Sequence, residues 1–199
     1  MDALYRIGQP IHYNYVSPPW NLDYFQTVYA REPGSMEMPS AGRAFTWQLR
    51  FDLRRKGVEM AYIVLHASLS SYMDDELDAA HPTSEEEYVI PRDAADAANA
   101  ARSAGGRVVA VGTTVVRALE SVAVDGVVSP VHGYMRLHIA AGHRLSAVDG
   151  LLTGLHEPTA SHLDLLTAFL PPQRLQAAYE EAVRLGYLWH EFGDLNLIL

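Results

Sequence analysis

The spacing of apolar residues changes period repeatedly along the chain, and each change marks an element. Residues 46–57, "TWQLRFDLRRKG", carry apolar positions at helical intervals and end in glycine, which predicts a helix; residues 58–66, "VEMAYIVLH", read as a buried strand after it. Residues 91–106, "PRDAADAANAARSAGG", open on proline, run on alanine and close with a glycine pair, predicting a second helix. That helix feeds the apolar run "RVVAVG" at 107–112, which stops at Gly-Thr-Thr and turns at once into the helical pattern "VVRALES". Between 131 and 150 the spacing shortens toward β-structure, two helices follow at 157–170 and 171–186, and "LNLIL" closes the chain as a strand. Short strand-like runs stand at 25–30, "FQTVYA", and 88–91, "YVIP", while the polar, acidic residues of 73–87 predict a loop.

This alternation predicts an α/β fold with a mixed, largely parallel sheet flanked by helices, because parallel neighbours need crossover helices between them. Residues 1–45, rich in Pro and Tyr, form a lead-in segment, and 46–199 form the α/β main domain. A chain of 199 residues suffices for one such core.

Charge changes the picture of partners. With 24 acidic against 15 basic residues the formal charge is -9, so the chain as a whole lacks the positive field that steers proteins onto phosphate backbones. The absence of cysteine removes disulfides, thiolate metal sites and a Cys nucleophile. No apolar run approaches the roughly 20 residues of a membrane span, so a cytoplasmic protein with no membrane partner is expected.

Open α/β sheets place ligands beyond the carboxyl ends of strands, where a helix N-terminus offers unpaired N–H groups and a partial positive charge. The junction at Gly112, Thr113 and Thr114 has that form: the glycine permits close backbone approach, and either threonine can cap the helix or offer its hydroxyl to a ligand. Arg117 lies one turn on, within reach of a ligand carboxylate or, at i to i+3, of Glu120. A second cluster, "DGLLTGLHEPTASHL" at 149–163, gathers Asp149, His156, Glu157, Ser161 and His162. Pro158 sets a helix start there that would keep His156 neutral and suited to act as a general base, with Glu157 favouring the positive helix end. His156 and His162 are not spaced as metal ligands on one helix face, so no metal is expected. In "YLWHEFGD" at 187–194, Trp189 and Phe192 either stack on a base or fill the core, and His66, ending "YIVLH", either serves a site or is bonded to backbone in the core.

In chain order, "FQTVYA", "PGS", "PSAG" with "FT", "KGVE", "LH", "GGRVVAVGTTVVRALES", "DGLLTG" with "HEP", and "GY" with "FGDLNLIL" resemble the S-adenosylmethionine:tRNA ribosyltransferase-isomerase family of queuosine biosynthesis, over nearly the whole chain. The resemblance implies an α/β main domain lacking most of the family's small β-barrel domain. It implies S-adenosylmethionine as donor of a ribosyl group that is moved and isomerised onto the aminomethyl-deazaguanine base of tRNA, with adenine and methionine released. It also implies that Gly112, Thr113, Thr114, Arg117, Glu120 and Tyr134 line the substrate site, with His66, His156 and Asp194 in the chemistry. The chain departs from the family pattern at Ala44 in place of His, at "ASLSSY" in place of a glycine-rich stretch, at Tyr134 and Arg136 in place of Trp and Asp, and at Gly154 in place of Asn. These departures keep two alternatives open. One is a repurposed S-adenosylmethionine-binding enzyme acting on a small molecule; the other is a non-catalytic scaffold, working as a homo-oligomer or with a partner chain.

Overall fold

The computed structural model describes residues 6–11, 16, 20–67, 85–156, 162–190 and 192–199. Two 3₁₀ turns, Leu22–Phe25 and Ser40–Ala44, lead into α1 (Trp47–Arg55). Thr46 caps α1 by accepting the Leu49 N–H at 3.2 Å, and Gly57 lets the chain leave at φ +79°. Among the described residues there follow β1 (Val64–His66), β2 (Glu86–Ile90), α2 (Arg92–Ser103), β3 (Val109–Val111), α3 (Thr113–Val122), β4 (Val131–Met135), β5 (Gly150–Gly154), α4 (His162–Leu166), α5 (Pro172–Arg184) and β6 (Leu195–Ile198).

The strands form two sheets, ordered β1-β2-β4 and β3-β5-β6. In the first, both pairs are antiparallel, with Leu65 opposite Tyr88 and Tyr88 opposite Gly133. In the second, β3 runs parallel to β5 with Val111 opposite Leu152, and β6 runs antiparallel to β5 with Leu195 opposite Gly154. The mixed α/β class stands, but the expected largely parallel sheet is corrected, since β3 and β5 are the one parallel pair among the described residues. The reason is where the helix leads. α2 leaves β2 in one sheet and delivers the chain to β3 in the other, so an alternation that resembles a crossover between parallel neighbours here joins two sheets.

α3 is the element both sheets share. Its Val116, Ala118 and Leu119 are buried, and it packs on β2 and β4 as well as on β3 and β5. Ile90, Val128, Ile139, Leu151 and Leu166 complete one continuous core around it. Asn99 of α2 fastens the turn before β4 by donating to the Val128 C=O at 2.8 Å and accepting its N–H at 2.9 Å.

Other expectations change locally. Residues 25–30 are not a strand, because the Ala30 N–H bonds the Thr27 C=O at 3.2 Å and closes a turn. Of 58–66 only β1 is a strand, half-buried, with β2 as its one partner among the described residues. Most of the loop expected at 73–87 lies outside the described residues, and Glu86 and Glu87 already belong to β2. The helix expected over 157–170 is described from His162 as α4. Among the described residues no helix is long and apolar enough to cross a membrane.

Candidate functional site

One end of the second sheet collects much of the candidate chemistry. β3 and β5, being parallel, end side by side there, and β6 begins opposite the end of β5. The chain leaves β3 through Gly112, whose N–H bonds the Leu152 C=O at 2.8 Å and whose φ of +98° would strain any side chain. Among the described residues, its two chain neighbours aside, nothing lies within 4 Å of where a Cβ on Gly112 would stand. Gly112 itself holds the cap position and no side chain caps the helix; the reading of Thr113 or Thr114 as the cap is corrected, because Thr113 is already the first helical residue and is buried.

β5 leads into a cluster of histidines. Thr153 and His156 are both buried, with Thr153 Oγ1 and His156 Nε2 2.9 Å apart, and the His156 backbone N–H donates to Tyr179 Oη at 3.2 Å. The ring of His162 stacks on that of His156 with centroids 4.5 Å apart, and His190 tilts against it at 5.0 Å. His190 arrives there because its N–H bonds the Leu155 C=O at 2.8 Å and because Gly154 leaves room, a Cβ at Gly154 falling 2.2 Å from His190 Cβ. Burial, then the neighbouring charges of His162 and His190, push the His156 pKa down from 6.5 to about 2, so its imidazole is neutral at physiological pH. Neutrality thus comes from burial; Glu157, Pro158 and Ser161, on which the helix-start argument rested, lie outside the described residues. Among the described residues, the buried His156 Nδ1 has no hydrogen-bond partner.

Beside His190 opens a cleft of about 180 Å³, walled by Ser40, Arg43, Ala44, Gly193 and Leu195. Asp194 holds the loop that forms one wall: its carboxylate accepts the Leu188 N–H at 2.8 Å and its own N–H donates to the Leu188 C=O at 3.1 Å. Phe192, at φ +60°, packs edge-on against Phe25 at 5.0 Å while the Arg43 guanidinium lies 3.9 Å over its face. Among the described residues no three His, Asp or Glu side chains are arranged to hold a metal ion.

The family model described as queuosine biosynthesis protein matches residues 1–198. The chain belongs to that family. The S-adenosylmethionine:tRNA ribosyltransferase-isomerases of Carboxydothermus hydrogenoformans and Moorella thermoacetica are 45% and 42% identical to it, over 88% and 98% of this chain and 52% and 58% of their own. The crystal structure of S-adenosylmethionine tRNA ribosyltransferase from Thermotoga maritima matches with a TM-score of 0.67 at 34% identity, covering 80% of this chain and 51% of that one. The chain therefore spans about half the length of the curated relatives it matches. The motif resemblance is borne out at the level of the family.

Within this member of the queuosine biosynthesis family, the other candidate residues fall elsewhere. Arg117 forms a largely buried ion pair with Glu86 of β2, and its Nε donates to the Leu137 C=O at 2.8 Å. Glu120 turns to another segment, accepting the N–H groups of Ser146, Ala147 and Val148 and the Ser146 hydroxyl. The i to i+3 partnership of Arg117 with Glu120 is therefore corrected, each finding a charge-assisted partner across the fold instead. His66 lies on the first sheet, opposite Glu87, in the cross-strand row that Tyr134 continues. Its ring packs on Gly34, where a Cβ would stand 2.4 Å from His66 Nδ1, and among the described residues that buried nitrogen has no hydrogen-bond partner, so no backbone bond to Nδ1 is found there. No hydrogen bond or ring contact joins His66 to His156 among the described residues.

Sequence reasoning missed His190 and the part the Ser40–Ala44 turn takes in walling the cleft. His190 shares no periodic spacing with His156; the signal that could have found it is Gly154, a strand-end glycine of the kind that close backbone approach demands.

Proposed function

We propose that this protein transfers and isomerises the ribosyl group of S-adenosylmethionine onto the deazaguanine base of tRNA in the cytoplasm, with His156 as the general base and no metal required. One observation carries the reading: a buried, neutral imidazole, its Nδ1 unpartnered among the described residues, stands at the same sheet end as the first turn of α3, where no described residue beyond its chain neighbours crowds Gly112. Carbon next to a sulfonium can lose a proton to a neutral base and not to an imidazolium. A pKa of about 2 makes His156 a weak base by itself. A carboxylate set in the adjoining cleft, as the aminoacyl end of the donor would supply, raises the pKa of imidazoles beside it and readies His156 only when the donor is bound.

In this reading the backbone of Gly112, Thr113 and Thr114 receives the donor, Arg117 and Glu120 hold α3 in place, and Asp194 orders the loop that carries His190. His66 and Tyr134 serve the acceptor side from the first sheet. Residues 46–199 form the working domain, to which the lead-in of 1–45 contributes the cleft wall at Ser40 and Arg43. The test is to incubate the protein with S-adenosylmethionine and tRNA bearing the aminomethyl-deazaguanine base and to follow adenine and methionine by chromatography. Adenine release that requires the tRNA is expected; donor binding by folded protein with no release on any tRNA would refute the reading.

A further inference from the structure

We infer that α1 is a nucleic-acid docking surface, on which unstacked nucleotides of the tRNA rest; the inference depends on the tRNA reading above. A helix of a globular domain normally turns an apolar stripe inward, yet α1 buries none of its residues. Trp47 and Phe51, one helical turn apart, are 53% and 57% exposed, and their rings lie 6.3 Å apart, only 28° from parallel. Arg50 is held beside Trp47, its guanidinium 4.3 Å over that ring and its Nη2 donating to Tyr62 Oη at 2.7 Å. The result is a stiff, exposed aromatic platform.

The charge on this platform is opposite to that of the molecule. Residues 47–56 hold Arg50, Arg54, Arg55 and Lys56 against Asp52, a net of +3 within a chain of net -9. Arg55 pairs with Asp52, while Arg54 and Lys56 join no ion pair among the described residues. Exposed rings that take bases on their faces, flanked by cations that neutralise phosphates, are the combination by which proteins hold single-stranded nucleic acid. The acidic remainder of the surface repels a polyanion and directs it to α1. A two-fold dimer through this helix would instead set like charge on like.

The test measures binding of a transcribed tRNA by fluorescence anisotropy over a range of salt, for the wild type, Trp47→Ala/Phe51→Ala and Arg54→Gln/Lys56→Gln. Melting temperature and affinity for S-adenosylmethionine serve as controls of the fold. Loss of the rings is expected to weaken tRNA binding roughly tenfold or more. Loss of the two cations should reduce the slope of log K against log salt by roughly 1.4–1.8. Wild-type affinity in both variants would overturn the surface and leave the proposed reaction standing. Folded wild type that binds no tRNA even at low salt would overturn both. A shift from dimer to monomer in the variants, with tRNA affinity intact, would assign the face to a second copy of the chain and overturn the inference as well.

Discussion

The rings of His156 and His162 lie 8° from parallel with centroids 4.5 Å apart. Burial first, and then the neighbouring charge of His162, disfavour a proton on His156 and hold it neutral.

That neutrality has a measurable sign. The native His156 pKa is about 2 against 6.5 for the ordinary group, so between those values the unfolded chain binds a proton that the native chain does not. Its contribution to stability is therefore fully present above about pH 6.5 and is lost as the pH falls from there toward 2. Between pH 7 and pH 5 the loss is roughly 2 kcal/mol. Urea titrations at the two values should show it in the wild type and not in His156→Gln; an equal loss in both would remove His156 as its source.

The helices were legible because their ends are written in local chemistry: Thr46 and Gly57 bound α1, and glycines at positive φ follow α2 and α5 at Gly105 and Gly186. β5 was not. "GLLTG" is short, has glycine at both ends and is assigned no element of its own from the sequence; it becomes a strand because β3 and β6 flank it on both sides. The same tertiary origin explains why His156 was visible as a candidate while its neighbour His190 was not. The family, by contrast, was legible from motif order alone, since motifs survive without any knowledge of which sheet they join.

Arg117 and Glu86 set a second expectation. Their side chains are 15% and 4% exposed, and the pair ties α3 of the shared core to β2. Arg117→Met alone strands a buried carboxylate and should cost about 3–5 kcal/mol, whereas replacing both partners with apolar residues of similar size should cost much less. Thermal melts of the two single variants and the double variant decide it. Simple additivity would show that the pair is not coupled.

Glu120 accepts three successive backbone N–H groups and a hydroxyl. Glu120→Ala should cost about 2–4 kcal/mol by leaving those donors without a charged acceptor. Amide hydrogen exchange should accelerate first at Ala147 and Val148, ahead of the core strands. Unchanged protection at those two amides would mean that water replaces the carboxylate at little cost.

His66 is held from the lead-in. A methyl group at Gly34 would stand 2.4 Å from His66 Nδ1, closer than real contacts allow, and the φ there is +156°. Gly34→Ala should displace the ring and shift its Cε1 proton resonance. If His66 serves the acceptor, the KM for tRNA rises while donor affinity holds. A displaced ring with unaltered kinetics would remove His66 from the site.

Gly154 offers the sharpest separation of site from scaffold. Its missing side chain lets His190 approach, with a Cβ falling 2.2 Å from His190 Cβ and 2.9 Å from His190 Cα. Neither atom is the free end of a flexible side chain, so in Gly154→Ala the backbone must part and the 2.8 Å bond from His190 N–H to the Leu155 C=O must stretch. Overpacking of this kind costs about 1–3 kcal/mol. His190→Ala, which removes the ring and leaves the backbone bond in place, should cost less stability. If the ring of His190 matters to the donor, both variants lose S-adenosylmethionine affinity, and the calorimetric loss is as large in the stable variant as in the strained one. If only Gly154→Ala loses it, the strand end is what the donor requires and the imidazole of His190 is packing.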